Sequence, residues 1–179
     1  MPVTIVRPDP TTHLWTGETE DGTHIVCRPI ALTDTKALAA MHTRISSETV
    51  RHRYGGYLSL ESRTESGRLK ERCTISDTEF ALVVEIAEEI VGVGRLSIIH
   101  QRDDAEVAFL VVDHEQGHGI GHMLVETILC VAQEMELRLL RADFAVAPDP
   151  RMLKLLLNKK FRSIPDAMTL DLADTHIAA

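Results

Sequence analysis

Apolar positions recur with two periods along this chain, and the switches between them mark its elements. Residues 24–30 alternate as a strand, introduced by an Asp21-Gly22 turn. The polar stretch before it, with Pro8, Pro10 and Gly17, reads as an N-terminal arm or loose hairpin over residues 1–23. Thr33 or Asp34 caps a helix to about Arg44 that buries Leu38, Met41 and Ile45. Ser46-Ser47-Glu48 opens a second helix through Arg53, closed by Gly55-Gly56. Residues 59–76 are charged; they read as a mobile surface segment with a possible helix from Glu65 to Arg72.

The second half alternates faster. Strands are expected at Glu79–Ala87 and Ile90–His100, joined by a tight Glu88-Glu89 turn. Gly92 and Gly94 inside the second strand imply a bulge or a close backbone neighbour. Arg102-Asp103-Asp104 turns the chain into a strand from Ala105 to Val112. Ile120, Leu124, Ile128, Val131 and Met135 then recur at helical spacing. A strand from Leu137 to Val146 follows, and Asp149 with Pro150 starts a leucine-rich helix that ends at Asn158-Lys159-Lys160. Met168, Leu170 and Leu172 alternate in a last strand. The order describes an α/β (α+β) protein around one mixed sheet, antiparallel early and with one parallel crossover late.

Composition narrows the partners. A chain of 179 residues, 44% apolar, is ordinary for one globular unit. A net charge of −8 argues against nucleic acid, which is bound through clustered Lys and Arg. Cys27, Cys73 and Cys130 lie far apart with no Cys-x-x-Cys pair, so neither a disulfide framework nor a zinc site is implied. There is no signal-peptide pattern and no apolar run of membrane-spanning length, and the reading is a cytoplasmic protein.

The chemistry concentrates in Gln116-Gly117-His118-Gly119-Ile120-Gly121, between the apolar strand and its helix. A glycine-rich turn that opens a helix after a strand is a cradle for phosphates, because free N–H groups and the helix dipole point at the anion. Neither the dinucleotide fingerprint nor a Walker lysine is present. His114, His118 and His122 recur every four residues, but Gly119 stands where a metalloprotease needs its glutamate, and no metal is expected.

The loop Gln-x-x-Gly-x-Gly, with Glu106-Val107-Ala108 on the strand before it, resembles the signature of the GNAT superfamily of acetyl-CoA-dependent N-acetyltransferases. Arg28-Pro29-Ile30, Asp34, Ile45 to Thr49 and Gln116 to Gly121 are most similar to the acetyltransferase domain of bacterial Pat-type protein lysine acetyltransferases. The resemblance covers residues 24–172. It implies the GNAT fold over 24–179, a mostly antiparallel sheet with a splayed strand and flanking helices. It also implies acetyl-CoA as cosubstrate, without a metal, and a protein lysine as acceptor.

By the same resemblance Glu106 is the general base, sitting buried on its strand where desolvation raises its pKa. Backbone groups of Leu110, Val111 and Val112 would meet the pantetheine arm and thioester. The amides of Gly117, His118, Gly119, Ile120, Gly121 and His122 would hold the pyrophosphate, with Gln116 bracing the loop. Departures are Asp149 at a usual asparagine, Lys159-Lys160-Phe161 at a usual Leu-Gly-Phe, His118 at a usual arginine, and no tyrosine between 149 and 161. The general acid is therefore unassigned. A small-molecule amine as acceptor, or a non-catalytic acetyl-CoA-binding module, stays open. An open acidic groove built by residues 44–76 would favour protein lysine, and a closed pocket a small amine.

Overall fold

The structure, a computed structural model, describes residues 4–6, 14–19, 21–56, 58–99, 103–144 and 146–174. The chain runs β1 (Thr4–Val6), β2 (Trp15–Glu18), β3 (His24–Pro29), α1 (Thr35–Thr43), α2 (Ser47–Tyr54), α3 (Leu60–Thr64) and α4 (Ser66–Arg72). It continues β4 (Glu79–Ile86), β5 (Glu89–Ile99), β6 (Asp104–Val111), α5 (Ile120–Glu134), β7 (Leu139–Asp143), α6 (Pro150–Asn158), β8 (Arg162–Ile164) and β9 (Ala167–Asp171). Among the described residues the strands form one sheet in the order β1-β2-β3-β4-β5-β6-β7-β9-β8. Every neighbouring pair is antiparallel except β6–β7. This is the mixed, mostly antiparallel sheet expected. Two strands within the stretch read as an arm extend it, and β2 brings Trp15 into the core.

Arg28 on β3 shows why the early segment folds as it does. Its guanidinium forks onto Asp34 at 2.8 and 2.9 Å and also reaches Glu85 on β4. Asp34 accepts the Ala31 N–H at 2.7 Å, so one carboxylate closes the turn into α1 and ties that turn to the sheet. Burial alone would raise the Asp34 pKa; the Arg28 fork and the Ala31 amide outweigh it and hold the carboxyl below its usual range.

Three expectations need correction. Residues 60–72 are two short helices rather than one in a mobile segment, and Leu69 and Cys73 are buried against the core. Ser59 and Glu65 each cap one of them, Glu65 through the N–H groups of Gly67 and Arg68. The tight turn sits at Ala87-Glu88, both with positive φ, one residue before the expected pair. The strand after α5 is only Leu139–Asp143, and the unforeseen β8 pairs with β9 at the sheet's edge.

The β5 glycines mark a bulge, as expected, and the close neighbours they admit are side chains of α5 rather than another backbone. Val84 pairs with Gly92 and Glu85 with Ile90, which leaves Val91 bulged out of the ladder. A Cβ on Gly92 would stand 3.0 Å from Ile120 and 3.2 Å from Leu124, and one on Gly94 would stand 3.3 Å from Leu124. The side chains of helix α5 therefore pack directly onto the bare backbone of these glycines. Its buried face, Ile120, Leu124, Val125, Ile128 and Val131, follows the 3.6-residue period.

His42 is buried in the last turn of α1, and its Nδ1 has no hydrogen-bond partner among the described residues. Burial, then the cations of Arg63, Arg72 and Arg53, push its pKa down to about 4.

Two predictions follow from these packings. Gly92→Ala should cost about 1–3 kcal/mol through overpacking against α5. Gly56→Ala, with nothing within 4 Å of the added carbon, should stay within about 0.5 kcal/mol; urea unfolding of both compares them directly. The neutral buried His42 contributes stability that is complete above the unfolded pKa of roughly 6.5 and is lost as pH falls toward the folded value of about 4. The loss should reach the order of 3 kcal/mol. Unfolding free energy measured across that window should show the slope, and His42→Leu should flatten it.

Candidate active site

The parallel pair β6–β7 lasts only three residues: Asp104 faces Leu139, Ala105 faces Leu140 and Glu106 faces Arg141. Beyond Glu106 the strands diverge, while β6 stays paired with β5 on its other side as far as Gly92–Val111. Alternation in an antiparallel ladder decides which peptide groups this strands. The Val112 N–H goes to Val91 O at 2.9 Å, and Asp103 O receives Leu139 N–H from the β7 side at 3.2 Å. Even-numbered residues of β6 therefore spend their peptide groups on β5, and odd-numbered ones face the opening. Of the three residues expected to meet the cosubstrate through the backbone, Leu110 and Val112 are already committed to β5. Val111 faces the gap, joined by Phe109, which the sequence pattern did not suggest.

The glycine loop closes the far end of the gap. Gly117 and Gly119 adopt φ of 90° and 92°, which other residues adopt rarely. The first α5 bond across the cap runs from Met123 N–H to Gly119 O at 3.0 Å, and no side chain caps the helix. The amides of Ile120, Gly121 and His122 consequently have no intrahelical acceptor. They sit at the positive end of a 15-residue dipole.

A polar chain binds this loop to α2. Gln116 Nε2 donates to Val111 O at 3.0 Å and to Thr49 Oγ1 at 3.3 Å. Thr49 in turn donates to Asp113 Oδ1 at 2.9 Å. Asp113 also accepts the Ser46 hydroxyl at 2.6 Å and the Ser46 N–H at 2.7 Å, and Ser46 caps α2. Burial would raise the Asp113 pKa, but these donors hold it below the usual carboxylate range.

These walls enclose a cavity of about 630 Å³. Glu106 to Val111 form one side, Ala142 to Phe144 and α6 the other, and the glycine loop one end. Glu106 lines it but is exposed, so the buried setting expected for it is not the one found. The reason is the divergence itself: beyond Arg141, β7 no longer runs beside the strand that carries it. Among the described residues of the segment 44–76, only Thr49, His52 and Arg53 of α2 reach the lining.

A model of the acetyltransferase (GNAT) family matches residues 42–157. The chain belongs to the GNAT family of acetyltransferases. Among solved structures, the GNAT domain of S. lividans PAT is 25% identical, with a TM-score of 0.75, over 95% of this chain and 97% of that one. A cAMP-binding acyltransferase from Mycobacterium smegmatis is 20% identical with a TM-score of 0.59; the match takes 95% of this chain but 48% of the other. M. smegmatis RimJ in complex with CoA-disulfide shares the fold at 13% identity and a TM-score of 0.67, over 85% and 84% of the two chains. No curated protein matches the sequence.

Family members use acetyl-CoA, and this GNAT cleft fits it: an unpaired strand edge for the pantetheine amides and a bare helix start for the pyrophosphate. His122 lines the cavity, with its pKa lowered by burial and by Lys159, while His118 lies exposed at 3.4 Å from Glu115. Among the described residues no group of three His, Cys, Asp or Glu could hold a metal, and no helix is long and apolar enough to cross a membrane. No tyrosine among the described residues lines the cavity, and Asp149 caps α6 through the Arg151 N–H at 2.7 Å. Sequence reasoning missed Thr49, His52 and Arg53. Their i, i+3, i+4 spacing on one helix face was the available signal.

Gln116→Leu should raise the acetyl-CoA dissociation constant about tenfold while lowering unfolding free energy by only about 1 kcal/mol. Calorimetric titration of the folded variant checks this; an affinity within twofold of the parent would show the brace to be dispensable.

Proposed function

We propose that this GNAT protein transfers an acetyl group from acetyl-CoA to a primary amine, the side chain of a protein lysine, with Glu106 as general base. The observation that carries the reading is the position of Glu106. It stands at the last residue of β6 that pairs with β7, where those two strands part, and lines the same cavity as Phe109, Val111 and the start of α5. Likeness over nearly the full length to the GNAT domain of a PAT supports lysine as the acceptor class.

Acetyl-CoA, when bound, supplies the acyl group as a reactive thioester. The chain supplies placement and proton transfer. The amides of Ile120, Gly121 and His122 bind the pyrophosphate, and the outward peptide groups of Phe109 and Val111 orient the arm that leads to the thioester. A lysine amine is protonated below a pKa of about 10.4 and must lose a proton to attack. The exposed Glu106 carboxylate accepts that proton directly or through one water. The Gln116–Thr49–Asp113 chain keeps the acceptor-side helix in register with the cofactor loop.

Glu106→Gln preserves shape and removes the base. It should lower kcat by about 10²–10⁴-fold and leave acetyl-CoA affinity within a few-fold. Thiol release and mass spectrometry of acetylated lysines give the two readouts. A variant within about threefold of the parent would remove Glu106 from the mechanism.

A further inference from the structure

Arg53 is left over by this mechanism. It lies in the last turn of α2 and lines the cavity together with Glu106. Arg28 has Asp34, Arg44 has Glu89 and Arg95 has Glu79, whereas Arg51, Arg63, Arg68 and Arg72 have no acid among the described residues; of the two arginines that line the cavity, Arg151 has Asp149. Arg53 is given none. Among the described residues it makes no hydrogen bond and no ion pair, and its guanidinium only stacks over the Tyr54 ring, 5.1 Å from the centroid.

Its surroundings sharpen the point. Burial lowers its pKa, and the Arg72 and Arg95 cations act in the same direction; only Tyr54 and Glu106 oppose them. Arg72 leans on the same tyrosine ring at 5.9 Å, which steadies the platform that aims Arg53. A half-buried guanidinium stacked on an aromatic ring and without a counter-ion among the described residues, at the wall of a binding cavity, is a docking point for an anion. Glu106 lines the same cavity and acts on Arg53 electrostatically without forming an ion pair with it. The acceptor side of the cleft thus offers a carboxylate and a guanidinium as separate points, the complement of a molecule that carries both an amine and an acid.

We propose that Arg53 binds a carboxylate of the acceptor, so that the amine acetylated is one with an acid group beside it. The inference rests on acetyl transfer to an amine as proposed above. An acidic residue flanking a peptide lysine and the carboxylate of a free amino acid share this chemistry, and both serve as probes.

The test uses matched pairs with the full chain: a lysine peptide with adjacent Asp against the same peptide with Asn, and free lysine against lysine amide. Binding to the CoA-loaded protein is read by calorimetry and transfer by thiol release. At least tenfold tighter binding and higher kcat/KM for the acid-bearing member of a pair is expected. The pair that shows it tells peptide from free amino acid. The ratio should fall to near one in Arg53→Gln and be partly kept in Arg53→Lys, both checked for folding by their CoA affinity. Equal binding within each pair by the parent protein would overturn the inference while leaving lysine acetylation intact. Carboxylate-selective binding without any transfer would support the anion site and sink the acetyltransferase reading instead.

Discussion

Peptide N–H and C=O groups inside a protein must find partners, and most of this molecule's architecture follows from one place where they do not. The sheet runs unbroken from β1 to β8, but β6 and β7 share only three residue pairs before they part. The outward N–H groups of Phe109 and Val111 are left beside a cavity with no strand to take them, while the Val111 C=O is taken by Gln116 Nε2. A fold built to satisfy every peptide group would close that gap. This one holds it open with the glycine loop at one end and α6 along one side, and so keeps polar backbone available for a guest with amides of its own.

Holding the gap open requires that its two sides not drift. The hydrogen-bond chain from Val111 through Gln116, Thr49 and Asp113 to Ser46 spans elements more than sixty residues apart in sequence. Removing any one member leaves a polar atom of the next without its partner, so these residues act together rather than as independent contacts. Cofactor side and acceptor side are thereby one mechanical unit. The helix that this chain ties down also carries Arg53, which lines the cavity together with Glu106.

What could be read from the sequence was what is local. The strand–loop–helix from Glu106 to Met135, the caps at Ser46 and Asp149, and the close approach signalled by Gly92 and Gly94 each depend on residues a few positions apart. What could not be read depended on the third dimension. Side-chain alternation places Leu110 and Val112 on the strand but says nothing about which way their peptides point; only the ladder to β5 settles that. The burial of Leu69 was hidden because a single apolar contact in a charged segment looks like surface until α1 and the sheet are placed beneath it. The exposure of Glu106 was missed because the divergence that uncovers it lies between strands more than thirty residues apart. Arg53 went unnoticed because its meaning is the absence of a partner, which sequence cannot display.

The closeness of α5 to β5 has one further consequence. The side chains that rest on bare Gly92 are Ile120 and Leu124, and Ile120 is the first residue of α5, whose amide has no intrahelical acceptor. The thickness of the sheet at that point therefore sets the height of the anion site. Core packing and the placement of the first α5 amides are mechanically linked in this chain: volume added at Gly92 presses on the side chain of the residue that begins the helix. Selection on either trait must move along the other.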